Sequence, residues 1–318
     1  MSNSIKEIAR VAGVSSSTVS RVFNKKPYVK EEIRKKVIEV AKKLNYSPKQ
    51  TARRINVGIL VEGIEEINIR GYESMLLTTV AKYILKNNFT FEIIPVSEID
   101  FIYKNFYDAI ISLLYWQETA ERIKELKDTP IITVNNPNPD YYNVYSDHKE
   151  GIEIAVEYLV SKGHKRIGFF RRTGKSWGAK ERLKGYLEAI KKHKIEYDER
   201  LVEEEDKNQS TLKAIAKICK NNPSSLIICG EDAVMEVVHY LYLLNKKIPD
   251  DISIISFENI YISQFLTPSH TTISQNFEEI GKNVVEIAKK LTKREKIKKE
   301  DIVIKNILIE RESVKEFT

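Results

Sequence analysis

Cysteine is nearly absent, with only Cys219 and Cys229 in 318 residues, both in apolar settings. Two thiols build neither a disulfide framework nor a cysteine-rich zinc site, and this usage fits a reducing compartment. No apolar run approaches the roughly 18–20 residues that span a bilayer. The start, Met1-Ser2-Asn3-Ser4, has neither the basic nor the apolar segment of an export signal, so a cytoplasmic setting without membrane contact is expected. The five histidines are scattered, none paired with Cys or Glu at metal spacing, so no metal and no other cofactor is expected. There is no Gly-x-Ser-x-Gly elbow and no Ser-His-Asp order. Thr173-Gly174-Lys175-Ser176 looks like the end of a P-loop, yet Phe169 stands where its first glycine is required. These absences weigh against an enzyme.

What is present begins with length and charge. A chain of 318 residues is too long for one ordinary core, so two or three domains are expected. Residues 1–55 hold 14 Lys/Arg against 4 Asp/Glu, whereas the remainder holds 38 against 41. A basic head on a nearly neutral body suits a small nucleic-acid-binding module carried by a larger domain. A solvated basic surface would give the same counts, so charge alone does not decide. The Lys-rich run 289–299 reads as such a surface.

The head carries more specific signals. Ser4-Ile5-Lys6-Glu7 has the form of a capping box, and Ile5, Ile8, Ala9 and Ala12 then share one helical face. Gly13 follows where that helix must stop and turn. Ser15 can cap a second helix over residues 16–24, with Val19 and Val22 inward and Ser16, Ser17, Ser20 and Arg21 outward. Small Ala9, turn-forming Gly13 and the following valines meet the packing needs of two crossed helices. A third helix over 31–44 closes the core with Ile33, Val37, Val40, Ala41 and Leu44.

This stretch, with Gly13-Val14-Ser15, Thr18-Val19-Ser20-Arg21-Val22 and Asn24, resembles the helix-turn-helix of the LacI/GalR repressor family. The resemblance implies that Ser16, Ser17 and Arg21 read bases and that Ser4, Ser15, Thr18, Ser20 and Asn24 contact phosphates. The chemistry agrees, since a guanidinium can chelate O6 and N7 of guanine and hydroxyls serve bases or phosphates. Leu44-Asn45-Tyr46-Ser47-Pro48 resembles the family's approach to a hinge helix, and Ile55 aligns with the apolar wedge that opens the minor groove. The linker is about six residues shorter than the family's pattern, so Ile55 either supplies the wedge or enters the first strand. The expected domains are a helix-turn-helix at 1–46, a hinge at 47–56 and a two-lobed effector and dimerisation domain at 57–318.

From Val57 onward apolar runs alternate with helical patterns, as parallel sheets with crossover helices require. Strands are expected at 57–61, 91–96, 109–114 and 130–134, then at 166–170, 201–205, 225–229, 252–257 and 302–309. The fold class is an all-α head plus an α/β body of two doubly wound parallel-sheet lobes, with a ligand cleft between them. Gly163-His164-Lys165-Arg166-Ile167-Gly168, Arg182-Leu183-Lys184-Gly185-Tyr186 and Thr271-Thr272-Ile273-Ser274-Gln275 make the body similar to the regulatory core of the same family, itself similar to periplasmic sugar-binding proteins. The stretch 57–143 resembles it loosely, in the manner of the branch that represses β-galactosidase genes. Within that resemblance the cleft residues are Asn135, Trp177, Arg182, Glu231, Glu258 and Gln275: an arginine donor, acidic acceptors and an indole for a sugar face. The family usually has Asp where Glu258 stands, which leaves the sugar's identity open. His164, between a helix and a strand, reads as a structural hydrogen bonder. Operator DNA, a small sugar, in one reading a galactoside, and a second copy of the chain are the implied partners. A sugar-transport receptor would account for the body and leave the basic head unexplained.

Overall fold

A computed structural model of the protein describes residues 4–24, 28–44, 46, 54–62, 71–126, 129–172, 175–205, 209–230, 233–293 and 298–317. The head is built from α1 (Ile5–Ala12), α2 (Ser16–Phe23) and α3 (Glu31–Lys43). Ser4 caps α1, its hydroxyl accepting from the Glu7 amide at 3.3 Å, while the Glu7 carboxylate lies 3.7 Å from Arg10 instead of closing the box. Gly13 ends the helix at φ +64°, with the Val14 amide donating to the Ala9 carbonyl at 2.9 Å. A side chain in that left-handed conformation would cost about 1–2 kcal/mol. Ile8, Ala12, Val19, Val37 and Ala41 form the core, joined by Phe23, Ile38 and Tyr46.

Strand and helix then alternate: β1 (Asn56–Val61), α4 (Gly71–Lys86), β2 (Thr90–Pro95), α5 (Phe101–Lys104), β3 (Ala109–Ser112), α6 (Gln117–Ala120), β4 (Ile131–Val134) and β5 (Tyr142–Ser146). Next come α7 (His148–Ser161), β6 (Ile167–Arg172), α8 (Trp177–Lys192), β7 (Val202–Glu205) and α9 (Thr211–Lys220). The series ends with β8 (Ser225–Cys229), α10 (Ala233–Leu243), β9 (Ser253–Phe257), β10 (Thr271–Ser274), α11 (Phe277–Thr292), β11 (Asp301–Ile304) and β12 (Ile307–Ile309). Two six-stranded sheets result, ordered β11-β5-β4-β3-β1-β2 and β12-β10-β9-β8-β6-β7, parallel except for the β10–β12 pair. All six residues of β1 are buried, as expected of a central parallel strand covered on both faces.

The expected fold class is present, with three differences in the strands. Tyr142–Ser146 and Thr271–Ser274 are strands that periodicity missed, being only five and four residues long. The run 302–309 is two strands: β11 pairs with β5 in the first lobe and β12 with β10 in the second. The chain therefore crosses between lobes at Asp147, at Gln275–Asn276 and at Lys305–Asn306. The Asn306 amide donates to the Asp147 carbonyl at 2.6 Å, and the Asp147 N–H to the Ile304 carbonyl at 2.9 Å, tying two crossings together. His164 is buried between the Ser224 hydroxyl at 3.0 Å and the Lys315 carbonyl at 3.1 Å. Both cysteines are buried, and neither is in a disulfide. No helix among the described residues is long and apolar enough to cross a membrane.

Candidate functional site

On α2 the side chains of Ser16, Ser17 and Arg21 are exposed, and the helix carries no acidic residue. The Arg21 guanidinium makes no hydrogen bond or ion pair to another described residue. The flanking hydroxyls are engaged locally. Ser15 caps α2, accepting from the Thr18 amide at 3.1 Å and sharing protons with the Ser17 and Thr18 hydroxyls at 2.8 Å. Asn24 donates to the Ser20 carbonyl at 2.9 Å and to its hydroxyl at 3.3 Å. Ser4 and Ser15 thus fix two helix N-termini whose remaining amides suit phosphate oxygens.

The expected hinge falls largely on 47–53, outside the described residues. Ile55 is half-buried against the first lobe's core, and its carbonyl accepts from the Thr90 amide at 2.8 Å. Its place is therefore the strand entry, and in this structure it is not displayed as a wedge. The junction holds a contact that the sequence did not signal. Phe106, from the loop before β3, packs edge-on against Phe23 of the head at 5.8 Å, and Phe23 stacks on Tyr46 at 5.7 Å. Lys42 of α3 lies over the Tyr103 ring of α5. Two residues beyond Phe106, the Asp108 carboxylate accepts from the Asn56 amide at 2.8 Å.

Between the lobes lies a cleft of about 680 Å³, its open mouth included. It sits at the carboxyl ends of the strands, where doubly wound sheets place ligands. Tyr115 and Trp116 follow β3, Asn135 follows β4, and Arg172 ends β6. Of the expected residues, Asn135, Arg182 and Gln275 line it. Arg182 is 9% exposed, lies 5.0 Å from the Phe257 ring centre, and its Nε has no partner among the described residues. Burial, reinforced by the Arg182 charge, holds the His148 imidazole well below its ordinary pKa, so it is neutral. Arg172 is held by Glu205 at 2.7 Å and Glu236 at 2.6 Å. Glu62 fixes the rim, its carboxylate accepting from the Tyr115 and Trp116 amides at 2.5 and 2.9 Å. Burial pushes the Tyr115 phenol upward, with neighbouring Glu73 adding to the shift.

Other expected residues take different places. Glu258 is 1% exposed and does not reach the cleft wall; its carboxylate accepts from the Gln275 amide at 3.0 Å and side chain at 2.7 Å. Asn135 donates to Tyr72 at 2.6 Å and to the Gln275 side-chain oxygen at 2.8 Å. A buried polar chain, Tyr72–Asn135–Gln275–Glu258, therefore joins the lobes. Trp177 packs against Tyr145 and His148 and lines a neighbouring cavity, not the cleft. Glu231 lies outside the described residues. Tyr72, Tyr115, Trp116 and Arg172 were missed, although the rule of strand carboxyl ends would have pointed to the last three.

Residues 4–49 match the family described as bacterial regulatory proteins, lacI family, and residues 156–314 match the periplasmic binding protein-like domain. The chain is 27% identical over 329 residues to the probable HTH-type transcriptional repressor ExuR of Bacillus subtilis, covering 99% of each chain. It is 25% identical over 332 residues to the ribose operon repressor of Lactococcus lactis, with 98% of each covered. Among solved structures, the transcriptional regulator CelR–cellobiose complex superposes at a TM-score of 0.74 with 21% identity, covering 98% of this chain and 99% of that one. The lac repressor dimer bound to operator and the anti-inducer ONPF gives 0.72 with 18% identity and the same coverage.

Proposed function

We propose that the chain is a transcriptional repressor of the LacI family, whose hold on operator DNA is controlled by a sugar in the interlobe cleft. The observation that carries the reading is the open face of α2, where Arg21 stands with two serine hydroxyls and its guanidinium has no partner among the described residues. Ser4, Thr18, Ser20 and Asn24 position the head on phosphates, and Arg21 supplies most of the base discrimination. The repressor acts as a homodimer on two half-sites. In lobe 2, Tyr261 and Phe265 are 76% and 59% exposed with ring centres 5.1 Å apart, an apolar surface suited to a second copy. A sugar that favours one lobe arrangement shifts the heads and releases DNA. Galactosides are the first effectors to test.

The test selects a preferred site from random DNA and compares Arg21→Ala with the native chain on that site and on its variants. Loss of about 1–3 kcal/mol of discrimination is expected. Equal weakening on every sequence makes Arg21 a phosphate contact, and unchanged selection overturns the reading. Arg182→Ala should keep operator binding and lose the sugar response.

A further inference from the structure

Beside the effector cleft a second cavity opens, about 760 Å³ with its mouth, between the first turn of α8 and the end of lobe 1. The two cavities share their walls, because chain neighbours face alternate sides: Trp116 and Asn135 line the cleft, Gln117 and Asn136 the second cavity. On the lobe 2 side, Gly178 borders the cleft and Trp177 the cavity.

Its chemistry is amide, indole and one ammonium. Trp177 is held in place by Tyr145 at 5.0 Å and His148 at 5.4 Å between ring centres. Gln117 accepts from the Lys180 ammonium at 3.1 Å, a bond that bridges the lobes and leaves the amide N–H donors of Gln117 for a ligand. Asn136 donates to the Leu114 carbonyl at 3.0 Å, leaving its side-chain oxygen as an acceptor. Asn138 accepts from the Asp140 amide at 2.9 Å, leaving its NH₂ group. Glu121, the acid on this wall, is paired with Lys124. Amide donors and acceptors share the wall with an indole, and Glu121 is held in an ion pair. That arrangement suits a neutral ring with hydroxyls at its edge and C–H groups on its face.

We propose that this cavity is a second saccharide subsite, in which a neutral polyhydroxylated ring lies against Trp177 with its hydroxyls on Gln117, Asn136 and Lys180. The proposal rests on reading the adjacent cleft as the effector site. The ring is either the second unit of a disaccharide whose first unit fills the cleft, or a separate monosaccharide. Either occupant adds contacts across the lobes at the Gln117–Lys180 bridge and so favours the closed arrangement.

The chain's two tryptophans make the test direct, since Trp116 lines the cleft and Trp177 the cavity. Trp116→Phe leaves an indole that reports the cavity, and Trp177→Phe one that reports the cleft. Both are titrated with glucose, galactose, ribose, cellobiose, lactose and maltose, with calorimetry on the native chain, Gln117→Ala and Lys180→Met. A shared ligand gives one disaccharide per chain, changes both reporters together, and weakens at least about ten-fold in the two cavity variants, as loss of a hydrogen bond or two implies. The matching monosaccharide then keeps its affinity. A separate ligand gives two monosaccharides per chain, with the weaker step removed by Gln117→Ala. Binding that alters only the Trp116 reporter and ignores both cavity variants overturns the subsite and leaves the cleft reading intact. No binding of any of these sugars overturns both.

Discussion

In the head, Ser16, Ser17 and Arg21 stand exposed on α2. In the body, Asn135, Gln275 and Glu258 are 4%, 3% and 1% exposed and bonded to one another across the lobes. The two sets differ in what they hold open. On α2 the exposed Arg21 guanidinium has no partner among the described residues, so that side chain contributes little to folding. A hinge between lobes must satisfy its buried groups internally, because an unpaired buried acceptor is costly. Mutations in the two regions should therefore separate function from stability in opposite directions.

The largest separation is expected at Gln275→Leu. The change removes a side-chain donor from the buried Glu258 carboxylate and the acceptor of Asn135. Loss of a hydrogen bond to a charged group costs about 1.5–3 kcal/mol, visible as a lower denaturant midpoint of the body. Arg21→Ala should stay within about 0.5 kcal/mol of the native chain. Equal destabilisation by both would erase the distinction.

Acid sharpens the comparison next, because all five histidines lie in the body. Burial, helped by Arg311, lowers His270 to about 4; burial also lowers His164 and holds His148 well down. Each stays neutral in the folded state and binds a proton more readily once unfolded. Their stabilisation is thus fully present above about pH 6.5, the unfolded value, and is lost as pH falls towards the folded one. His270 alone should remove about 1.4 kcal/mol per pH unit below 6.5, near 2 kcal/mol at pH 5. Segment-resolved hydrogen exchange at pH 7 and 5 should show the body amides weakening while α1–α3 change less. His270→Phe should flatten the body's dependence, and an unchanged slope would remove His270 from this account.

The same contrast explains what could be read in advance. Ser4, Gly13, Ser15 and Arg21 act within a few residues of themselves, so spacing alone placed their caps, turn and outward face. Nothing local in Ile302-Val303-Ile304-Lys305-Asn306-Ile307-Leu308-Ile309 signals that the chain changes sheets at Asn306; the partners, β5 and β10, lie far away in sequence. Glu258 looked like a sugar acceptor because its type suited the task, yet its geometry depends on Gln275, which the β9–β10 pairing brings alongside. Trp116 and Trp177 could not be assigned to separate cavities without coordinates, since both occupy loop-to-helix positions of similar composition.

The smallest effect concerns the border between the two regions. Phe106 touches Phe23 of the head, while Tyr107 and Asp108 lead into β3, whose far end carries Tyr115 and Trp116 of the cleft. An aromatic pair of this kind contributes about 0.5–1.5 kcal/mol, so Phe106→Ala should raise the undocked fraction of heads about five-fold and leave the head folded. NMR relaxation on the DNA-free chain would detect this as head amides tumbling faster than those of the body. Because an undocked head is less constrained in direction, the variant should also tolerate a wider range of half-site spacings in a mobility-shift series. If head and body tumble together as before and spacing tolerance is unchanged, the Phe23–Phe106 contact does not restrain the head, and the two regions communicate through the backbone between Tyr46 and Asn56 instead.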